Sequence, residues 1–218
     1  MARRWLSSLV IALVIALGGW SGSFAQDLSP ITLPSPRTEG GKPLMEALKA
    51  RSSAREFAAD KLPAQTLASL LWAAWGINRP DGRRTAPSAS NKQEIEIYVV
   101  LPEGAFLWDA RANVLNPVAG GDHRAETGTQ PFPATAPLNL VYVADMTKVS
   151  RPASDPQQML NIGADCGFIA ENVYLFCASE GLASVVRASV NKESLARTLK
   201  LRESQVIVLA QTVGFPKK

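Results

Sequence analysis

Few side chains in this 218-residue chain can do chemistry, and four of the candidates sit together. Arg51, Ser52, Ser53 and Arg55 fall in the stretch "RSSAREF". A guanidinium presents a planar fork of donors that matches phosphate or carboxylate oxygens. Serine hydroxyls add short-range donors. The set suits an anion, yet taken alone it is also what an ordinary solvated helix end looks like. A second candidate is the polar loop "PSASN", formed by Pro87, Ser88, Ala89, Ser90 and Asn91. Its Ser and Asn side chains bond local backbone as readily as a ligand.

Several common catalytic arrangements are absent from the sequence. There is no G-x-x-x-x-G-K-[ST] phosphate loop, no G-x-G-x-x-G after a strand, no H-E-x-x-H and no C-x-x-C. His123 is the single histidine, which excludes a histidine-rich metal site, and no G-x-S-x-G accompanies any serine. No catalytic acid–base or nucleophilic residue is identified. Cys166 and Cys177 stand 11 positions apart. On one helix their Cα atoms would be about 16 Å apart, too far for a disulfide, which needs less than about 7 Å.

The candidate residues need elements to hold them. Pro43 opens a helix whose stripe Leu44, Ala47, Leu48, Arg51 predicts that Arg51 closes an inward-facing row. Pro63 opens a second helix with Leu67, Leu70, Leu71 and Ala74 on one face, ending near Gly76. Residues 95–101 alternate as a strand, and "GAFLWDARANVLNPV" predicts a hairpin turning near residues 109–113. Residues 138–144 form a nearly continuous apolar run, as expected of a buried strand. Asp155-Pro156 starts and Gly181 stops a long helix that is apolar almost all round over residues 168–178, which predicts a central, buried helix. A strand at 182–187, a helix at 192–200 capped by Asn191 and a strand at 206–213 complete an α+β order.

The first 25 residues read separately. Arg3 and Arg4 precede an apolar run at 5–17, and Ser23-Phe24-Ala25 places small residues before a cut at Gln26. This is the layout of a cleaved signal peptide, and the run is shorter than the roughly 20 residues of a membrane span. The expectation is a periplasmic or secreted protein with no stable membrane anchor, exported by the Sec route or, since Arg3-Arg4 is a partial twin-arginine pair, the Tat route. Residues 26–42 are Pro-, Ser- and Gly-rich and read as a flexible lead-in to one domain at 43–218. Without the leader, 21 basic and 19 acidic side chains remain. No basic stripe interleaved with aromatics is present, so nucleic-acid binding has no support.

Four segments, in order, resemble the nitroreductase superfamily of FMN-dependent oxidoreductases, most closely its SagB-type dehydrogenase-like branch. They are "ARSSAREF", "RTAPSASNKQEIEIYVV", the hairpin "EGAFLWDARANVLNPV", and "DCGFIAENVYLFCASEGLASVV" with the closing "VIVLAQTVGFPK". The likeness implies a mixed central β-sheet flanked by helices around the long helix. It implies FMN bound at the interface of a homodimer. Arg51, Ser52 and Ser53 would hold the phosphate and ribityl end and Arg55 the N1/O2 edge of the ring. Pro87, Ser88, Ala89 and Asn91 would cover the ring, usually from the partner subunit. Val186, Arg187 and Ala188 would run along the ring edge with a backbone N–H near N5, and Lys217 would add a second phosphate cation. The implied activity is ping-pong electron or hydride transfer to or from a small substrate, in which the flavin carries the chemistry. The alternative is a non-catalytic flavin- or partner-binding module on the same fold. An exported member needs a donor other than NAD(P)H, which is not freely supplied outside the cytoplasm.

Overall fold

The long helix is best understood from its two ends. Asp155 accepts hydrogen bonds from the N–H groups of Gln157 (2.9 Å) and Gln158 (3.1 Å), and Pro156 takes the first helical position, where its missing donor costs nothing. At the other end Gly181 adopts φ 71°, a left-handed conformation that glycine reaches without Cβ strain, and its N–H returns to the Cys177 carbonyl. Between these caps runs Pro156–Glu180 (α3), 25 residues and about 37 Å of helix. In this computed structural model, which describes residues 28–217, α3 packs against α1, α2 and one face of the sheet. The signal-peptide residues lie outside the described ones.

The remaining elements are β1 (Ile31–Thr32), α1 (Leu44–Ala50), α2 (Ala64–Trp75), β2 (Ile95–Leu101), β3 (Gly104–Asp109), β4 (Val114–Gly120), β5 (Leu138–Asp145), β6 (Ala183–Arg187), α4 (Lys192–Thr198) and β7 (Gln205–Gly214). The strands form one sheet in the order β1-β4-β3-β2-β5-β7-β6. A mixed sheet is the expectation from the resemblance, but every observed pairing is antiparallel. The reason is topological. β5 and β6 run the same way, but β7 inserts between them and pairs antiparallel with both.

The apolar runs follow from burial of the sheet on both faces. Alternate residues of β2 and β5, including Ile97, Val99, Leu140 and Tyr142, join Leu70, Leu71 and Trp75 of α2 and Ile162, Ile169 and Val173 of α3. The residues between them, Tyr98, Val100, Val141 and Val143, meet Leu195 of α4 and Leu199 on the opposite face. A fully buried leucine of this kind contributes roughly 1.5–3 kcal/mol. Cys166 and Cys177 are both buried on α3 and free, and burial pushes both thiols up, so they serve as inert core residues.

Three sequence expectations need correction. The lead-in is pinned, not flexible: β1 pairs with Val114 and Leu115 of β4, Leu33 is buried, and the Arg37 N–H donates to the buried Ser69 hydroxyl. On α1 only Ala47 is buried, while Leu44 and Leu48 are 63% and 45% exposed. α3 is not covered all round, because Leu160 and Phe168 are 65% and 48% exposed. The periodicities identify apolar faces correctly, but parts of those faces have no cover within one chain.

Candidate cofactor site

Arg51 is the residue that ends α1; its N–H returns to the Ala47 carbonyl (2.9 Å). The chain then runs extended along the far edge of the sheet. The Ala54 N–H donates to Ser184 O of β6 (3.0 Å), and the Ala58 N–H donates to Phe215 O just past β7 (2.9 Å). Phe57 forms a bridge with Pro216. Residues 51–58 are thus laced to β6 and to the end of β7. This brings Arg51, Ser52, Ser53 and Arg55 beside Val186 and the segment leading to Lys217.

The centre of the cluster is a residue the sequence did not single out. Tyr174 of α3 lies with its ring 5.3 Å beneath the Arg51 guanidinium. Its hydroxyl accepts the Val186 N–H (2.8 Å) and stands 2.9 Å from Ser53 Oγ. A tyrosine inside an apolar helix must find a partner for its hydroxyl, and that was the only available sequence signal. The Val186 N–H is therefore used by Tyr174 in this arrangement. Ser52, Arg55, Ala188 and Lys217 are exposed and Arg51 is half-buried. Among the described residues no carboxylate pairs with Arg51 or Arg55.

Arg187 is placed differently from its neighbours. Its side chain is buried and donates to Thr212 Oγ1, to Thr127 O (2.9 Å) and Oγ1 (3.0 Å), and to Asn139 Oδ1 (3.0 Å). Its guanidinium lies 5.5 Å from the Phe132 ring centre, and no carboxylate among the described residues pairs with it. Burial lowers its pKa to about 10. The side chain ties the 127–134 loop to β5 and β7. Gly128 closes over it, and a Cβ there would stand 2.6 Å from Arg187 Nε and 2.9 Å from Pro133 Cγ. Gly128→Ala should lower stability by about 1–2 kcal/mol, the cost of a modest overpacking, read as a lower urea midpoint with unchanged slope.

The 87–91 loop is held elsewhere. The Ala89 N–H donates to Asp165 Oδ2 (2.9 Å), and Ser88 Oγ accepts the Gln93 N–H (3.0 Å). Ser90 and Asn91 both take φ 53°, the left-handed region that Asn tolerates better than most residues. Asp165 and Tyr174 are nine positions apart on α3, which is two and a half turns. They therefore face opposite sides of the helix, about 13 Å apart along it. One chain does not unite the loop with the arginine segment.

Behind this loop lies a second feature invisible in the sequence. Glu94 and Asp165 are both buried and neighbour each other closely enough for the Asp165 carboxyl to act directly on that of Glu94. Glu94 Oε2 has no hydrogen-bond partner among the described residues. Burial first, and the Asp165 carboxyl after it, raise the Glu94 pKa to about 7, against the opposing effects of a backbone hydrogen bond and, more weakly, of Lys148.

A cavity of about 340 Å³ lies between residues 37–41, α2 and the end of α3. Another of about 410 Å³ is lined by Trp75, Arg84, Trp108 and Arg111. Neither contains the arginine segment. The candidate site is placed on that segment because it carries two arginines without carboxylate partners among the described residues, with serine hydroxyls between them.

The Nitroreductase family model matches residues 48–215, a span that contains almost every element described above. The chain belongs to the nitroreductase family. A candidate nitroreductase of Methanocaldococcus jannaschii is 27% identical over 176 residues, covering 76% of this chain and 88% of that protein. The crystal structure of a candidate nitroreductase from Ralstonia eutropha is 41% identical, with a TM-score of 0.80 over 87% of this chain and 90% of that one. The NADPH:FMN oxidoreductase of Vibrio harveyi, solved with NAD+, is 20% identical with a TM-score of 0.60, covering 80% and 69% of the two chains; it shares the fold.

Proposed function

We propose that this nitroreductase-family oxidoreductase uses FMN, held by the arginine segment. One observation carries the reading: the segment that bears Arg51 and Arg55, neither paired with a carboxylate among the described residues, and the serines between them has its backbone fixed beside β6 and β7 by the Ala54 and Ala58 N–H groups. Donors in this state fit a phosphate. The FMN named for the Vibrio harveyi relative agrees with that donor set. Arg51 and Ser53 would bind the phosphate end, and Ser52 and Lys217 would add donors at the exposed rim. Arg55 would place positive charge at the ring. The flavin, when bound, supplies two-electron transfer between a donor and an acceptor in separate half-reactions, so no acid–base side chain is demanded of the chain.

Two features of the single chain support assembly as a homodimer. The loop at Pro87, Ser88, Ala89 and Asn91 faces away from the arginine segment across α3. Leu44, Met45 and Leu48 of α1 and Leu160 and Phe168 of α3 are exposed, more apolar surface than a free helix face normally shows. A second copy that covers these residues would let its loop complete the site. The short hairpin β3–β4 supports the SagB-type branch, and the leader supports export. If export is right, the protein recovered from its own host begins at Gln26, which the intact mass reports; retention of residues 1–25 would remove the periplasmic assignment.

The central test is colour. Protein purified from its own periplasm should be yellow, or should gain flavin absorbance on titration with FMN. It should then bleach anaerobically with a suitable donor. A colourless protein that takes up no FMN ends the flavin reading. A yellow protein that no donor bleaches would favour the non-catalytic binding module.

A further inference from the structure

Tyr174 joins three separate parts of the arginine site. Its hydroxyl accepts the Val186 N–H of β6 at 2.8 Å and lies 2.9 Å from Ser53 Oγ, and its ring supports the Arg51 guanidinium at 5.3 Å. The side chain is buried, with 7% exposure, so these are its working contacts rather than one choice among many.

The direction of the hydrogen bonds matters. A backbone N–H can only donate, so Val186 fixes one lone pair of the Tyr174 oxygen. A phenol carries one proton, and Ser53 Oγ is the acceptor within its reach. Once Ser53 accepts that proton, its own hydroxyl hydrogen is free to point outward, on the exposed side of the segment. An anion in front of Ser53 selects this direction, because only then does Ser53 donate to it. The chain Val186 N–H to Tyr174 O–H to Ser53 O–H then runs toward the anion, each bond polarising the next. The same ring holds Arg51 over its face, an attraction that orients the guanidinium without using any of its N–H groups.

We propose that Tyr174 is the positioning residue of the anion grip, presetting Ser53 as an outward donor and Arg51 as its neighbouring cation for the phosphate of FMN. The proposal rests on the flavin reading above. It differs from a purely structural role, in which Tyr174 only satisfies its own hydroxyl and fills space.

The test compares two ligands that differ only in the phosphate. FMN and riboflavin are titrated into the wild-type full chain and Tyr174→Phe, which keeps the ring beneath Arg51 but removes the hydroxyl. In the wild type FMN should bind more tightly than riboflavin. In Tyr174→Phe the FMN Kd should rise about tenfold, as for one lost charged hydrogen bond, with riboflavin affinity nearly unchanged. The FMN-to-riboflavin preference therefore falls about tenfold. An unchanged preference overturns the proposal while leaving FMN binding intact. Wild-type protein that binds neither flavin overturns both this proposal and the function it rests on. If Tyr174→Phe does not fold, Ser53→Ala carries the test from the other end of the relay. It should lower the same preference by a similar factor, and an unaltered preference there also overturns the proposal.

Discussion

Arg51→Ala should weaken FMN binding by about 1.5–3 kcal/mol, the value of hydrogen bonds to a charged group, or roughly ten- to 150-fold in Kd. The structure gives three reasons for so large a loss. Arg51 has no carboxylate partner among the described residues, so its charge is not already neutralised. It is half-buried, which weakens solvent screening relative to a free surface arginine. It is held in place by the Tyr174 ring and by its position at the end of α1, so little side-chain entropy is lost when a ligand arrives. Arg51→Lys separates charge from geometry. Lysine keeps the charge but not the fork, and should fall between wild type and alanine. Titration followed by quenching of flavin fluorescence reads all three proteins. An alanine variant with wild-type affinity would remove Arg51 from the site.

Much of what positions this site was legible in the sequence, for identifiable reasons. Asp155-Pro156 and Gly181 mark the ends of α3 because each satisfies a local backbone need that no distant contact can supply. β5 was legible because burial on both faces leaves a continuous apolar run. The arginine segment was legible as a type of chemistry, and the fold lays it beside Val186. What was not legible depends on contacts distant in sequence. The Pro- and Gly-rich composition of the lead-in says nothing of Leu33 finding a buried position or of Arg37 finding Ser69, 32 residues away. The stripe on α1 shows which face is apolar, not whether anything in the same chain covers it. Arg187 sits next to Val186, yet strand alternation sends its side chain into the interior toward Thr127, Asn139 and Thr212. Tyr174 read as one more apolar position in a helix, because its function comes from what folds against its hydroxyl.

Glu94 has a pKa of about 7 in the folded protein against an ordinary value of 4.5, through burial and the neighbouring Asp165 carboxyl. Between those two values the folded state binds a proton that the unfolded state has released. Stability must therefore fall as pH rises from about 4.5 to about 7, and level off above. At about 1.4 kcal/mol per pKa unit the full loss is on the order of 3 kcal/mol. The groups around Glu94 act in that direction: Asp165 adds negative charge to the effect of burial, Cys166 contributes an uncharged buried thiol, and a backbone hydrogen bond and the partly exposed Lys148 oppose the shift without reversing it. Glu94→Gln keeps the shape and can still donate to Asp165, but cannot ionise. It should match the wild type at pH 5 and exceed it by about 2–3 kcal/mol at pH 8, or roughly 5–10 °C in Tm for a chain of this size. Urea unfolding of both proteins at the two pH values decides it; parallel pH profiles would mean that Glu94 does not carry the proton. The effect reaches the loop at Pro87–Asn91 because Asp165, the other half of the pair, accepts the Ala89 N–H. Repulsion between two ionised carboxyls would act directly on that anchor. Amide exchange at Ala89 should therefore quicken between pH 6 and pH 8 beyond the ordinary base-catalysed rise in the wild type, and not in Glu94→Gln.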